Sequence, residues 1–181
     1  MRSEKKYAED YRLDNNTDRN GRLRTVSVYH GPYFRFLADA GTVERAKRLF
    51  PALSLLCLCA VLAPLLMDAR MTHSWYVLLP LVLGLFPAAY LLMGAWRLLR
   101  AGELVTREHR DKLYDRFAGW SMVLLILSAL SLLGQAVYYL REPFEAANLP
   151  VTLCTLVLIA SGAVLFTRRK ALMMGQVQPQ D

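Results

Sequence analysis

Reactive residue types are scarce in this sequence. It has three histidines, His30, His73 and His109, and three cysteines, Cys57, Cys59 and Cys154. The cysteines lie inside apolar runs, away from loops where a disulfide framework forms. On a helix, Cys57 and Cys59 point about 200° apart, which is poor geometry for joint metal ligation. They read as small hydrophobes. No histidine falls within an apolar run, so Met93 and Met122 lack the partner that a haem held between helices would use. Glycine-rich phosphate loops and nucleophile–base pairs are missing too. Met67, Asp68, Met71 and His73 offer soft-metal ligand types, but at loose spacing and at the end of a run, where such residues are common. No catalytic residue, metal or cofactor is therefore expected, and the chain reads as non-enzymatic.

The second scarcity is of charge where the chain is apolar. Four runs, at about 49–67, 75–96, 117–140 and 149–166, carry no charged residue in their middles. Each is long enough to cross a bilayer as a helix. Proton-coupled transport usually needs an ionisable group at membrane depth, which argues against a pump or a small proton-driven exporter. A leader-type apolar core is missing from the polar start, so the first run reads as a retained span.

What is present agrees with a membrane. Hydrophobic residues make up 55% of the 181, yet the formal net charge is +7. The basic residues cluster at the ends of the apolar runs, which favours topology and anionic lipid over nucleic acid. Twelve of them fall on one side: Arg45, Lys47, Arg48, Arg97, Arg100, Arg107, Arg110, Lys112, Arg116, Arg168, Arg169 and Lys170. Only Arg70 and Arg141 fall on the other. By the positive-inside rule both ends of the chain are cytoplasmic, in a multi-pass protein of the plasma membrane. The expected fold is all-α: an antiparallel bundle of four transmembrane helices preceded by a short cytoplasmic strand/turn segment.

The organisation follows. Residues 1–21 are polar and read as a disordered tail. Residues 22–41 hold a strand-like run, the turn signal His30-Gly31-Pro32, and the aromatics Tyr29, Tyr33, Phe34 and Phe36. They suit either a β-hairpin near the membrane face or an aromatic–basic segment in the headgroup layer. Residues 42–170 form the helical domain, with Thr42 as its first N-cap, and 171–181 read as a frayed tail. Between the second and third runs, Arg97 to Arg116 reads as a helical hairpin turning near Ala101 to Thr106. Thr106 caps its second arm, and Glu108 pairs with Lys112.

Two sets of residues stand out. Tyr29, Tyr33, Phe34, Phe36, Arg107 and Arg110 are candidates for contact with a partner. Ser128, Ser131, Gly134 and Gln135 share one face of the third helix, where small and hydroxyl residues serve close packing or line a path. Thr155 and Gly162 of the fourth run, and Gly84-x-x-x-Ala88 of the second, offer matching faces. The function expected is a non-enzymatic accessory subunit of a larger membrane assembly, in contact with anionic lipid. The alternative is a homo-oligomeric passive channel or small transporter.

Overall fold

The computed structural model describes residues 7–17 and 23–177. Four long helices dominate: α1 (Ala40–Leu66), α2 (Trp75–Arg100), α3 (Arg107–Arg141) and α4 (Leu149–Arg168). The four apolar runs lie within them, and all four are long and apolar enough to cross a membrane. Each helix packs against the next, and α4 closes against α1. Short connections enforce the antiparallel order.

The bundle is apolar outside as well as inside, and its apolar core also holds small polar side chains. Its interior holds Ser54, Ser121, Ser128, Ser131, Gln135, Thr155 and Ser161 beside Phe50, Leu81, Leu124 and Leu158. Its outer face displays Leu55, Leu79, Phe86, Leu133 and Leu153. So large an exposed apolar surface suits a lipid surrounding. The hydroxyls inside are satisfied mainly by their own helix: Ser128 donates to Leu124 O at 2.7 Å and Thr155 to Val151 O at 3.0 Å.

One end of the bundle carries β-structure. Strand β1 (Tyr11–Thr17) pairs antiparallel with β2 (Leu23–Tyr29). A second sheet has the order β4 (Val105–Thr106), β3 (Tyr33–Phe36), β5 (Met174–Val177), antiparallel throughout. It joins the entry to α1, the α2–α3 turn and the exit from α4. This is the sheet end; the other is the loop end.

Four expectations change here. Tyr11–Thr17 is a strand, although its polar residues gave no apolar alternation; β2 supplies the pairing. A single helical turn, Ala8–Asp10, precedes that strand; residues 1–6 and 18–21 of the proposed tail lie outside the described residues. The 171–181 tail is ordered through Val177, because β3 provides an edge for β5; residues 178–181 are outside the description. The two strands around His30-Gly31-Pro32 do not form a hairpin with each other. A Cβ on Gly31 would stand 2.5 Å from the Tyr29 hydroxyl and 2.8 Å from Asp10 Cβ, so the chain turns there too tightly for a side chain. Finally, α1 is capped by Asp39 and not Thr42. The Asp39 carboxylate accepts the Thr42 hydroxyl at 2.6 Å and its N–H at 3.1 Å. Those two bonds, the hydroxyl's first, hold the carboxyl below its usual range.

Candidate functional site

The sheet end is built by side chains from one segment closing off the helix ends of another. Lys47 of α1 donates to Ala101 O, the carbonyl at the end of α2, at 2.6 Å. A cation there satisfies an orphan carbonyl and the helix dipole together. At the start of α3, the Arg107 N–H donates to the Tyr29 hydroxyl at 3.1 Å, and that hydroxyl donates to Pro32 O at 2.9 Å.

Two further tyrosines reach the same turns of α3. The Tyr7 hydroxyl donates to Asp111 Oδ2 at 2.9 Å. The Tyr11 hydroxyl interacts with Glu108. Burial first, then the charge of Glu108, raises the Tyr11 phenol pKa; burial is also the main cause that raises Tyr29's. Tyr11, Tyr29 and Tyr33 stack edge to face with centroids 5.2 Å apart in each pair. This aromatic line fastens the β1–β2 ribbon to the second sheet and to α3.

The partner candidates therefore divide. Phe34 is only 5% exposed, and the Arg110 guanidinium lies 4.6 Å over its ring. The ring faces inward, and the partly exposed Arg110 side chain covers it as a cation–π pair. Tyr29 and Arg107 meet each other, through the Arg107 backbone. Tyr33 and Phe36 are half-buried, while Arg35 and Leu37 project outward. Between β3, the start of α1 and the α2–α3 turn lies an open cleft of about 500 Å³. It is lined by Phe36 and Val43 and by the charges of Arg35, Asp39, Glu44 and Glu103. Thr106 stands at the cap of α3, but its hydroxyl meets His109 Nδ1 at 3.1 Å and makes no backbone cap. Glu108 engages Tyr11; the Lys112 side chain lies outside the description.

The second set divides as well. Gln135 is 1% exposed, and its Nε2 donates to Thr155 Oγ1 of α4 at 2.6 Å and to Ser131 Oγ at 3.4 Å. Its Oε1 has no partner. Gly134, next in sequence, faces α2: a Cβ there would stand 2.6 Å from Tyr76 O. Beside Ser128 the bundle encloses only about 10 Å³. That is about the room for one water. Within one chain these residues are contact points between helices.

At the loop end, Asn148 is fully buried and its Oδ1 accepts the Met71 N–H at 3.3 Å. Arg70 pairs with Glu145 at 3.0 Å. His73 meets Asp68 at 3.2 Å, while Met71 is buried. Among the described residues no three His, Cys, Asp or Glu gather as metal ligands. Asn148 and Lys47 are key contacts that sequence reading missed. An asparagine just before a Leu-Pro helix start was the available signal for the first.

The fold and its outward apolar face define a class: a polytopic bundle with four helices able to span a membrane and a small β-platform at one end. No known protein family, curated protein or solved structure matches the chain.

Proposed function

We propose that this protein is a non-enzymatic accessory subunit of a larger membrane assembly. It sits in the plasma membrane with both ends, and the sheet end, on the cytoplasmic side. The carrying observation is the contrast between the two parts of the molecule. Among the described residues the bundle interior holds no charged side chain, and about 10 Å³ of space lies beside Ser128. The sheet end instead assembles segments from across the chain into a platform with an open cleft. That is the construction of a surface to be bound, and the basic residues around it suit an anionic leaflet. The contact surface is carried by Tyr33, Arg35, Leu37 and the cleft wall, with Phe34 and Arg110 as its support.

The test is the composition of the complex recovered in mild detergent through a tag after Asp181. A second, different protein at fixed stoichiometry supports this reading, and its loss on Arg35→Glu with Tyr33→Ala locates the surface. A closed ring of this chain alone overturns it.

That ring is the second reading, a homo-oligomeric passive channel. The unpartnered Gln135 Oε1 favours it, since a buried acceptor left open is costly. Under it, Gln135→Leu alters flux; under the first reading flux is absent and the change is silent. Orientation has a separate test. A reporter active only outside the cell stays dark after Asp181 and works beside His73; the reverse pattern inverts the topology.

A further inference from the structure

The three-stranded sheet has a second face that the described residues leave open. Side chains alternate across a strand. Phe34 and Phe36 of β3 point into the protein, Phe36 against the bundle core. Tyr33, Arg35 and Leu37 therefore point the other way. The β3–β5 register sets Gly175 opposite Arg35 and Val177 opposite Tyr33, and the Leu37 N–H donates to Met173 O at 3.0 Å. A Cβ on Gly175 would stand 2.8 Å from Leu37 Cδ2, so the leucine lies across β5 on this face. Leu104 extends it on the other flank: Val105 pairs with Phe34, which sets Leu104 beside Arg35. Leu37 is 71% exposed and Leu104 58%, and Met173 and Val177 are exposed as well. All four lie outside the candidate membrane spans, so surrounding lipid does not account for them. An exposed apolar patch of that kind marks an interaction surface.

Arg35 stands in the middle of this apolar face. Its ion-pair partner Glu103 is 3.9 Å away, at the limit of such a pair, and the Arg35 side chain stays 65% exposed. Two copies docked face to face here would bring Arg35 toward Arg35, a like-charge contact that costs affinity. The face also looks away from the helical bundle, which disfavours the bilayer as its cover. What complements it is an apolar surface with a carboxylate at its centre, since a guanidinium bonds a carboxylate through paired N–H donors. Two strand spacings of about 4.8 Å make the sheet about 10 Å wide, the width of one helix with its side chains. Helices are a common cover for a sheet face. We propose that this face binds an amphipathic helix of a second protein, whose apolar side carries one carboxylate for Arg35. The proposal rests on the accessory-subunit reading and names the chemistry of the partner.

The test uses the full chain in phosphatidylcholine nanodiscs and labelled amphipathic peptides of about 18 residues. The peptides are identical except at the centre of the apolar side, which carries Glu, Gln or Lys. Fluorescence anisotropy, corrected with empty discs, reads binding. The Glu peptide is expected to bind about fivefold tighter than the Gln peptide, and the Lys peptide more weakly than either. Arg35→Glu reverses the order, which also shows that the variant is folded. Leu104→Asp weakens all of them. Equal affinities, or no binding, overturn the proposal. The parent's order persisting in Arg35→Glu also overturns it, by showing general attraction to a basic chain. A dimer of the chain that dissociates on Leu37→Asp does so too, because a second copy then fills the face. If a Leu37→Cys thiol reacts much more slowly with a neutral, water-soluble maleimide once phosphatidylglycerol is added, lipid fills the face and the proposal fails. These readings need no partner, so they stand apart from the composition of the recovered complex. A second protein that stays bound to both Arg35→Glu and Leu104→Asp chains keeps the accessory-subunit reading and overturns this one.

Discussion

The Tyr29 hydroxyl accepts the backbone N–H of Arg107, 78 residues away, and so closes the first turn of α3 from another segment. Thr106, the residue in the cap position, leaves that turn without a side-chain cap. Tyr29→Phe removes the acceptor for Arg107 and the donor to Pro32. A cost of about 1–2 kcal/mol is expected, near 1 kcal/mol for each hydrogen bond. Arg107→Ala keeps the N–H and should cost less. Unfolding in mixed micelles, followed by circular dichroism, compares the two.

The raised phenol pKa of Tyr29 gives this contact a pH dependence. A phenol with a folded pKa above its unfolded value stabilises the fold fully below the unfolded pKa of about 10. That stability is lost as pH rises through the folded pKa. Tyr11 acts in the same direction, with burial and the Glu108 charge as causes. The difference in alkaline unfolding between the parent and Tyr29→Phe should therefore shrink above about pH 10. A gap that widens there refutes the assignment.

Two buried glycines should respond oppositely to alanine. At Gly134 the added methyl meets the Tyr76 carbonyl at 2.6 Å, a backbone atom that cannot yield, so α2 and α3 must separate. A loss of about 1–3 kcal/mol follows from overpacking. At Gly84 the nearest atoms, on Val61 and Leu124, stand at 3.8 and 3.9 Å, an ordinary contact. Gly84→Ala should be neutral or mildly stabilising, because alanine also favours the helix. Thermal unfolding in one detergent reads both.

The Gln135–Thr155 bond should be worth little. Interhelical hydrogen bonds in membranes average about 0.6 kcal/mol in double-mutant cycles. Gln135→Leu removes a donor together with an orphaned Oε1, so its net effect on stability should be near zero. A cycle with Thr155→Val isolates the pair. A coupling above about 2 kcal/mol would mark a stronger buried network than these contacts form.

Phe34→Ala should act as a core substitution. The ring is buried below Arg110, so its loss should cost about 3–5 kcal/mol or unfold the platform. Arg35→Ala, on the same strand but outward, should leave stability unchanged. Limited proteolysis of the segment before α1 distinguishes them.

The helices were legible because an apolar run of bilayer length has few other solutions, although α1 and α3 begin well before their apolar runs, at Ala40 and Arg107. The α2–α3 turn near Gly102 was legible for the same reason. The platform was not. β1 alternates in polarity only over Tyr11 to Asp14 before Asn15 and Asn16, and β5 is the short run Met174–Val177. β1 takes its strand form from the neighbouring β2, and β5 from β3, far back along the chain; local periodicity reveals neither pairing. Tyr29, Phe34 and Arg110 stand out in the sequence, but sequence could not tell an aromatic that is displayed from one that is spent on a helix end. Gly134 and Gln135 share a helical face on a wheel; the structure shows that adjacent positions on it meet different neighbours.

The pairing of β3 with β5 sets an order on biosynthesis. β3 leaves the ribosome before any of the four helices, and its partner strand follows the last of them. At roughly 5–20 residues per second, the wait is on the order of ten to thirty seconds. Through that interval one edge of β3 is open and the nascent platform is unsealed. Release of β5 is then the event that finishes the molecule, so a chain stalled after α4 should keep its helices inserted yet be recognised by quality-control proteases at the stretch before α1.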